Sequence, residues 1–304
     1  MKNENRIKDK IVDVLLIMMM ILPLAACIVL KVLTAVPPEG IDVTGAQIYW
    51  EIKMPIMPLY ITEATVVSAA VVITILAIVL YLTRGLKAKP DRKRQHIAEF
   101  IVQLTDNFVA GNMGERFMGF SPFVAGIMGL SALSSLSSLL GLFPPTSDVN
   151  IVGGWAILVF IIITHYKLKG GIGNYLKGFT EPVVFFTPMN IVSELATPVA
   201  MAFRHYGNVL SGVVISTLLA AAFGGLSNLV LGWLPGFIGQ IPLFRVGIPA
   251  VLSLYFDLFS GCLQAFIFAI LTMLYVSNGF PEEAYEARMK KKQKKLEKSK
   301  AKGI

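Results

Sequence analysis

The sequence predicts an all-α polytopic membrane protein with about six transmembrane helices. Of its 304 residues, 55% are hydrophobic and 15% are charged, whereas soluble domains carry about 25% charged residues. The mean hydropathy is +0.68. Six apolar runs are long enough to cross a hydrocarbon core of about 30 Å. They lie at 11–35, 61–84, 121–143, 150–167, 188–225 and 248–276.

Basic residues cluster between the apolar runs, and their positions predict the orientation of the chain. The net charge of +8 is concentrated in MKNENRIKDK, RGLKAKPDRKRQ, HYKLKGG and ARMKKKQKKLEKSKAKG. The alternate connections, PPEGIDVTGAQIYWEIK, FPPTSDVN and GWLPGFIGQIPLF, carry few lysines or arginines. By the positive-inside rule, both termini should be cytoplasmic. Clustered charge of this kind argues against nucleic acid as a partner.

Three segments follow from this pattern: an N-terminal transmembrane segment (1–36), a core membrane domain (37–280) and a basic cytoplasmic tail (281–304). The first segment admits a second interpretation. LPLAAC, which ends at Cys27, resembles a lipoprotein cleavage site after a basic and an apolar region. Because IVLKVLTAV prolongs the apolar run beyond Cys27, the retained transmembrane helix is preferred.

An amphipathic helix is predicted between the second and third runs. Its apolar stripe at helical spacing comprises Ile97, Phe100, Ile101, Leu104 and Phe108. Such a helix can lie on the cytoplasmic membrane surface or in the cytosol, and its position between two spans favours the membrane surface.

Arg204 places a charged side chain in the middle of the fifth apolar run. An arginine cannot lose its charge, so its burial in hydrocarbon costs at least about 2.5–3.5 kcal/mol. It shares one helical face with Thr197, Ala200, Met201, Asn208 and Ser211. Glu194, His205 and Gly212 lie on a neighbouring face.

The sixth run carries a second polar stripe at intervals of three or four residues. It comprises Ser253, Asp257, Ser260, Gly261 and Gln264. If the two runs form a long tilted hairpin that turns near residue 234, Arg204 comes to lie beside Gln264, and Asp257 beside Ser211. For the serines, hydrogen bonding between helices explains the pattern as well as function does, at about 0.6 kcal/mol per contact.

A fixed cation at mid-membrane with a carboxylate displaced to one side outlines an ion path. Asp257 can take up and release a proton or a metal cation, whereas Arg204 keeps its charge and favours the ionised form of any carboxylate that approaches it. Glu194 and Asp257 are not placed to neutralise Arg204 fully. We therefore expect the missing counter-charge on another subunit.

Two segments resemble the signature helices of subunit a of the F-type ATP synthase. They are PVAMAFRHYGNVLSG, which contains Arg204, and LQAFIFAILTMLYV, which contains Gln264. SSLLGLFPPTSDVN, which ends in Asp148 and Asn150, is similar to that family's turn between its second and third spans. The order and spacing agree from about residue 60 to 280. An extra N-terminal span is not general in that family.

The resemblance implies that Arg204 is the family's essential arginine, facing the carboxylates of a ring of c subunits. Asn208 and Gln264 match its polar partners. Asp257 falls where members commonly carry His or Glu in the half-channel open to the outside, and Val213 stands where many have a titratable residue.

Further residues match positions along the two half-channels. Asp148 and Asn150 match the mouth of the outer one, and Glu194 matches an acidic position on the cytoplasmic side. The candidate lining residues are His205, Ser211 and Ser253.

The implied function is that of an ion-translocating stator subunit with two half-channels that couple H⁺ or Na⁺ flow to rotation of the c-ring. The implied partners are the c-ring, the b subunits of the peripheral stalk, the remainder of the F1Fo complex and the lipid bilayer of a bacterial plasma membrane. We expect no cofactor, and no metal site, since the sequence has three histidines and no HExxH. We also expect no catalysis by the chain alone, since the nucleotide-binding motif GxxxxGK[ST] does not occur. The alternative is a self-contained ion transporter or channel, which predicts inverted repeats that the sequence does not display.

Overall fold

The structure is a computed structural model that describes residues 2–34, 45–55, 58–87, 92–181, 183–231, 244, 251–252 and 254–301. Within these ranges, only the backbone is described for residues 2–9, 231, 256–257 and 295–301. The α-helices are α1 (Lys2–Thr34), α2 (Glu63–Thr83), α3 (Lys93–Met113), α4 (Ser121–Leu136), α5 (Val149–Leu168), α6 (Ile172–Thr180), α7 (Thr187–Leu231), α8 (Gly261–Gly279) and α9 (Glu282–Ala301). Short 3₁₀ turns cover Glu115–Phe120, Ser137–Leu140, Pro145–Ser147 and Val184–Phe186, and a π-helical turn covers Tyr255–Ser260.

Six of the described helical segments are long and apolar enough to cross a membrane, which confirms the predicted fold class. They are Lys10–Thr34, Glu63–Thr83, Glu115–Leu140, Val149–Leu168, Val184–Val230 and Leu258–Gly279. The third begins before its predicted start because a 3₁₀ turn leads directly into α4. The predicted start of the sixth, residues 248–250, lies outside the described residues.

A β-hairpin adds regular structure to the connection between the first two spans, for which the sequence predicts only a loop. Strand β1 (Ile48–Ile52) pairs antiparallel with β2 (Leu59–Thr62), with Ile52 opposite Leu59. The β-branched and aromatic residues of IYWEI and LYIT favour strands. This hairpin leads into α2, whose N-terminus is capped by the Thr62 side chain.

The main core lies where α3, α4, α5, α7 and α8 meet. Its fully buried side chains include Val109, Val124, Val159, Phe268 and Met273. In the most apolar stretch of the span that contains α8, 44% of the residues are buried. In the most apolar stretch of the span that contains α7, only 6% are buried. Helix α8 is therefore the centre of the bundle, whereas α7 exposes most of its surface.

Helix α7 is longer than a membrane is thick. Its 45 residues correspond to about 67 Å at 1.5 Å per residue, roughly twice the hydrocarbon core. A helix of this length can stay within the bilayer only if it is strongly tilted. The long helix that forms the first half of the predicted hairpin is present, and Pro198 lies inside it.

The predicted amphipathic helix is α3, and its apolar stripe is exposed except at Phe108, which packs against the core. Ile97, Phe100 and Leu104 are 52%, 65% and 59% exposed. An apolar stripe that its own chain leaves uncovered supports the membrane-surface interpretation over the cytosolic one. The tail forms helix α9, anchored by the ion pair between Arg116 and Glu282 at 2.8 Å.

Helices α4 and α8 approach each other at Gly261. A Cβ atom at this position would lie 2.6 Å from the Cβ of Ser135, which is too close for real side chains. Small residues at such crossings let helix backbones pack closely in membranes. Gly261 therefore sets the distance between the central helix and α4.

We expect Gly261→Ala to destabilise the folded chain by about 1–3 kcal/mol, because overpacking forces the helices apart. The measurement is the thermal unfolding midpoint in detergent. Gly129→Ala is the matched control, since a Cβ there would meet nothing within 4 Å. Equal midpoints for the two variants would contradict this account of the crossing.

Candidate functional site

Arg204 lies near the middle of α7, on the side that the described part of the chain leaves open. Its side chain is exposed, as are the neighbouring apolar side chains of Val199 and Phe203. Among the described residues, Arg204 has no hydrogen-bond or ion-pair partner. The opposite side of the helix is the packed one, where Met201 is 2% exposed. The structure thus leaves a permanent charge on the edge of a membrane-spanning surface.

Asn208, one turn beyond Arg204, connects α7 to α8 and the preceding π turn. Its amide Nδ2 donates to Ser260 Oγ at 3.1 Å and to Gln264 Oε1 at 3.4 Å. The Asn208–Ser260 pair is symmetric about residue 234, the turn position expected from sequence. The expected neighbour of Gln264 was Arg204, but the described hydrogen bond joins Gln264 to Asn208. Gln264, which is 2% exposed, therefore fixes the helix one turn from the arginine.

His205 points in the opposite sense to Arg204, into the core. It is fully buried, and its Nε2 lies 3.2 Å from Ser131 Oγ. Its ring makes edge contacts with Trp155 and Phe268, at centroid distances of 5.9 and 5.5 Å. The structure thus gives this residue a packing position between helices α4, α5 and α8.

A cavity of about 430 Å³ lies at the end of α7 that precedes Arg204. Its lining residues include Lys167, Tyr175, Asn190, Glu194, Thr197 and Pro281. Thr197, which lines the cavity, shares a helical face with Arg204 two turns away. Sequence reasoning selected Glu194 here but not Lys167.

Lys167 and Glu194 form an ion pair inside this cavity. The Lys167 ammonium is 2.7 and 2.6 Å from the two Glu194 carboxylate oxygens. Gly279 makes room for the lysine stem, since a Cβ there would lie 2.8 Å from Lys167 Cε. Burial and then the charge of Glu194 raise the pKa of Tyr175 above its usual value of 10.0. The phenol therefore stays neutral beside the ion pair at physiological pH.

A second cavity, of about 680 Å³, lies on the other side of the membrane domain. Its lining residues include Ile48, Tyr60, Thr65, Phe143, Asp148, Asn150 and Tyr206. Asp148 and Asn150, the residues expected at the mouth of a channel, both line this cavity. Tyr206, which sequence reasoning missed, brings the cavity to α7 two residues beyond Arg204. The sequence offered little indication of this role for Tyr206, because an aromatic residue in an apolar helix usually packs against neighbouring helices.

The remaining predicted residues are distributed along the same two helices. Ser211 is exposed, and its hydroxyl donates to the carbonyl of Gly207 in its own helix at 2.6 Å. Ser253 lies outside the described residues. Asp257 belongs to the π-helical turn Tyr255–Ser260, but its side chain is outside the described part. Such turns are rare and frequently occur at functional sites.

Comparison with known proteins decides the family. The sequence model of the ATP synthase A chain family matches residues 64–277. The chain belongs to that family.

Its relatives in the ATP synthase A chain family are similar over most of their length. The chain is 33% identical to ATP synthase subunit a of Bacillus subtilis (strain 168) over 232 residues, which cover 72% of this chain and 91% of that protein. It is 28% identical to ATP synthase subunit a of Macrococcus caseolyticus (strain JCSC5402) over 253 residues, covering 80% of this chain and 95% of that protein. For ATP synthase subunit a of Acidothermus cellulolyticus the identity is 32% over 225 residues, covering 70% and 74%.

Asp148 has a structural role that does not depend on its charge. Its side chain accepts a hydrogen bond from the Asn150 backbone N–H at 2.9 Å and caps α5. Asp148→Ala should therefore cost about 0.5–2 kcal/mol, whereas Asp148→Asn keeps a good cap and should cost little. The thermal unfolding midpoint in detergent measures both. Equal loss of stability in the two variants would contradict the capping role.

Proposed function

We propose that the chain is the ion-translocating stator subunit of the Fo sector, and that it couples H⁺ or Na⁺ flow to rotation of a c-subunit ring. The observation that carries this proposal is the position of Arg204. It stands on an uncovered face of α7, between a cavity on each side of the membrane domain. The names of the relatives support the same assignment to an ATP synthase.

The uncovered face of α7 is proposed to contact the c-ring. Lipid alone would leave Arg204 without a counter-charge, at a cost of at least about 2.5–3.5 kcal/mol. A ring carboxylate supplies that counter-charge, and exposed apolar residues such as Phe203 and Ile215 supply a surface for an apolar partner. The b subunits and the remainder of the F1Fo complex are proposed as further partners.

The proposed path has two halves that do not join. An ion enters through the outer cavity, past Asp148 and Asn150, and reaches a ring carboxylate by way of Asp257. After rotation through lipid, that carboxylate meets the other cavity and releases its ion near Glu194. The guanidinium of Arg204 cannot carry a proton, so it separates the halves and favours loss of the ion from each arriving carboxylate.

In this arrangement the chain conducts ions only together with the ring. It supplies a path and a fixed charge, whereas nucleotide chemistry belongs to other subunits of the complex. The Lys167–Glu194 pair keeps a charged, hydrated group at the cytoplasmic exit. A self-contained transporter, the alternative, would conduct after reconstitution of the purified chain alone.

The location proposed is a bacterial plasma membrane with both termini in the cytoplasm. Single cysteines at Glu51 and Lys291, both exposed, should then react with an impermeant thiol reagent from opposite sides. The labelling is done in intact cells and in inverted vesicles, in a background without Cys27 and Cys262. Labelling of both positions from the same side would exclude this topology.

Arg204→Ala should abolish both ATP synthesis and ATP-driven ion pumping in assembled complexes, because nothing then discharges the ring carboxylate or separates the two halves. Arg204→Lys should also fail, since lysine lacks the planar guanidinium and can lose its proton when buried. Assembly is measured first, then pumping in inverted vesicles. Normal pumping by fully assembled Arg204→Ala would refute the proposed mechanism.

Asp257→Asn is the contrast variant in the same assay. Water in an open half-channel can partly replace a relay group, so this variant should slow transport and change its pH dependence without abolishing it. An unchanged rate across pH would mean that the outer path does not pass Asp257.

A further inference from the structure

A buried carboxylate at the start of α2 joins parts of the outer cavity that are distant in sequence. Glu63 is 3% exposed, and its Oε1 accepts a hydrogen bond from the backbone N–H of Phe143 at 2.9 Å. The backbone N–H of Glu63 itself donates to the carbonyl of Gln47 at 2.7 Å. One residue therefore holds both the segment before β1 and the turn before α5.

These two segments are walls of the outer cavity. Ile48 follows Gln47 directly, Asp148 follows Phe143 by five residues, and Phe143 itself is part of the lining. Thr62 and Thr65, on either side of Glu63, also line the cavity. A change in the Glu63–Phe143 hydrogen bond would therefore move the rim of the cavity rather than a remote surface.

The charge of Glu63 is compensated by the N-terminal helix. Lys31 Nζ lies 2.9 Å from Glu63 Oε1, and a carboxylate buried to this degree requires such a partner. Lys31 belongs to α1, which precedes the region matched by the family, residues 64–277. The compensating charge thus comes from a part of the chain that the family pattern does not cover.

Helix α1 is fixed to the membrane domain at two further depths. The Thr74 hydroxyl donates to the carbonyl of Met20 at 3.2 Å, and Arg94 forms an ion pair with Asp13 at 3.1 Å. Cys27 is buried against Val67 and Val71. Both of these contacts are made by residues that precede Cys27.

We propose that Lys31 and Glu63 are positioning residues of the outer ion inlet, and that α1 is a working part of the stator because it supplies Lys31. Glu63 holds the turn that carries Asp148, and the ion pair with Lys31 holds the Glu63 carboxylate in place. This inference rests on the proposed function, since it assigns a role to the rim of the same cavity.

Two double variants test the hydrogen bond at constant charge. Lys31→Met with Glu63→Gln keeps an oxygen that can accept from Phe143, whereas Lys31→Met with Glu63→Leu has none. Replacement of a buried ion pair by neutral groups of similar size often preserves stability, so both should assemble. The readouts are ATP synthesis driven by an imposed ion gradient in proteoliposomes, and the reaction of a cysteine at Ile151, on the cavity lining, with an impermeant thiol reagent.

The leucine variant should synthesise ATP about tenfold more slowly per assembled complex, because a displacement of about 1 Å in a positioned site has effects of this size or larger. Its cysteine at position 151 should also react at a changed rate. The glutamine variant should match the parent protein in both readouts. Indistinguishable behaviour of the two double variants would overturn the proposal.

The lysine is tested by itself through rescue. Lys31→Met should slow synthesis, because it leaves the Glu63 carboxylate buried and unpaired, and Lys31→Arg should restore the rate. Normal synthesis by Lys31→Met would refute a role for Lys31 in positioning the inlet. Arg204→Ala is assayed in parallel. If Arg204→Ala blocks synthesis while the Lys31 and Glu63 variants are normal, only this inference fails. If Arg204→Ala does not block synthesis, the proposed function fails.

Discussion

The charge of Arg204 is the constraint on which the rest of the membrane domain depends. It is permanent, it lies within a transmembrane segment, and the described part of its own chain provides no counter-ion. The fold around it is arranged to fix its position without neutralising it. Asn208 ties the helix to Gln264 and Ser260, and His205 inserts the other side of the helix into the core. The packed face of α7 thus fixes the position of the guanidinium, which lies on the exposed face.

At each of the two cavities, a lysine from another helix pairs with a carboxylate of the membrane domain. On one side Lys167 pairs with Glu194, and on the other Lys31 pairs with Glu63. In both pairs the lysine is more exposed than its acidic partner, so the ammonium stays hydrated while the carboxylate is held by the fold. Each pair lies close to a cavity, where water and low-dielectric protein meet.

Periodicity made the spans and the Arg204 face predictable. Arg204 and Asn208 had to share a face because a helix repeats every 3.6 residues, and the register of the Asn208–Ser260 pair followed from a symmetric hairpin. The β-hairpin was missed because its strands are short and interrupted. Contacts between distant segments, such as those of Lys167 with Glu194 and of Lys31 with Glu63, could not be predicted. They depend on how helices pack, and a lysine at the end of a span looks the same in sequence whether or not it has a partner.

The length of α7 has a mechanical consequence. A helix of about 67 Å fits within a bilayer only at a slant, and in that orientation it would cross the path of more than one repeating unit of a rotor. In contact with the proposed ring, the helix would then touch the arriving c subunit before it loses contact with the departing one. A helix perpendicular to the membrane would meet and lose each unit all at once. In the proposed assembly, the slant would therefore smooth the transfer of torque, and its direction would decide which cavity a given unit meets first for each sense of rotation.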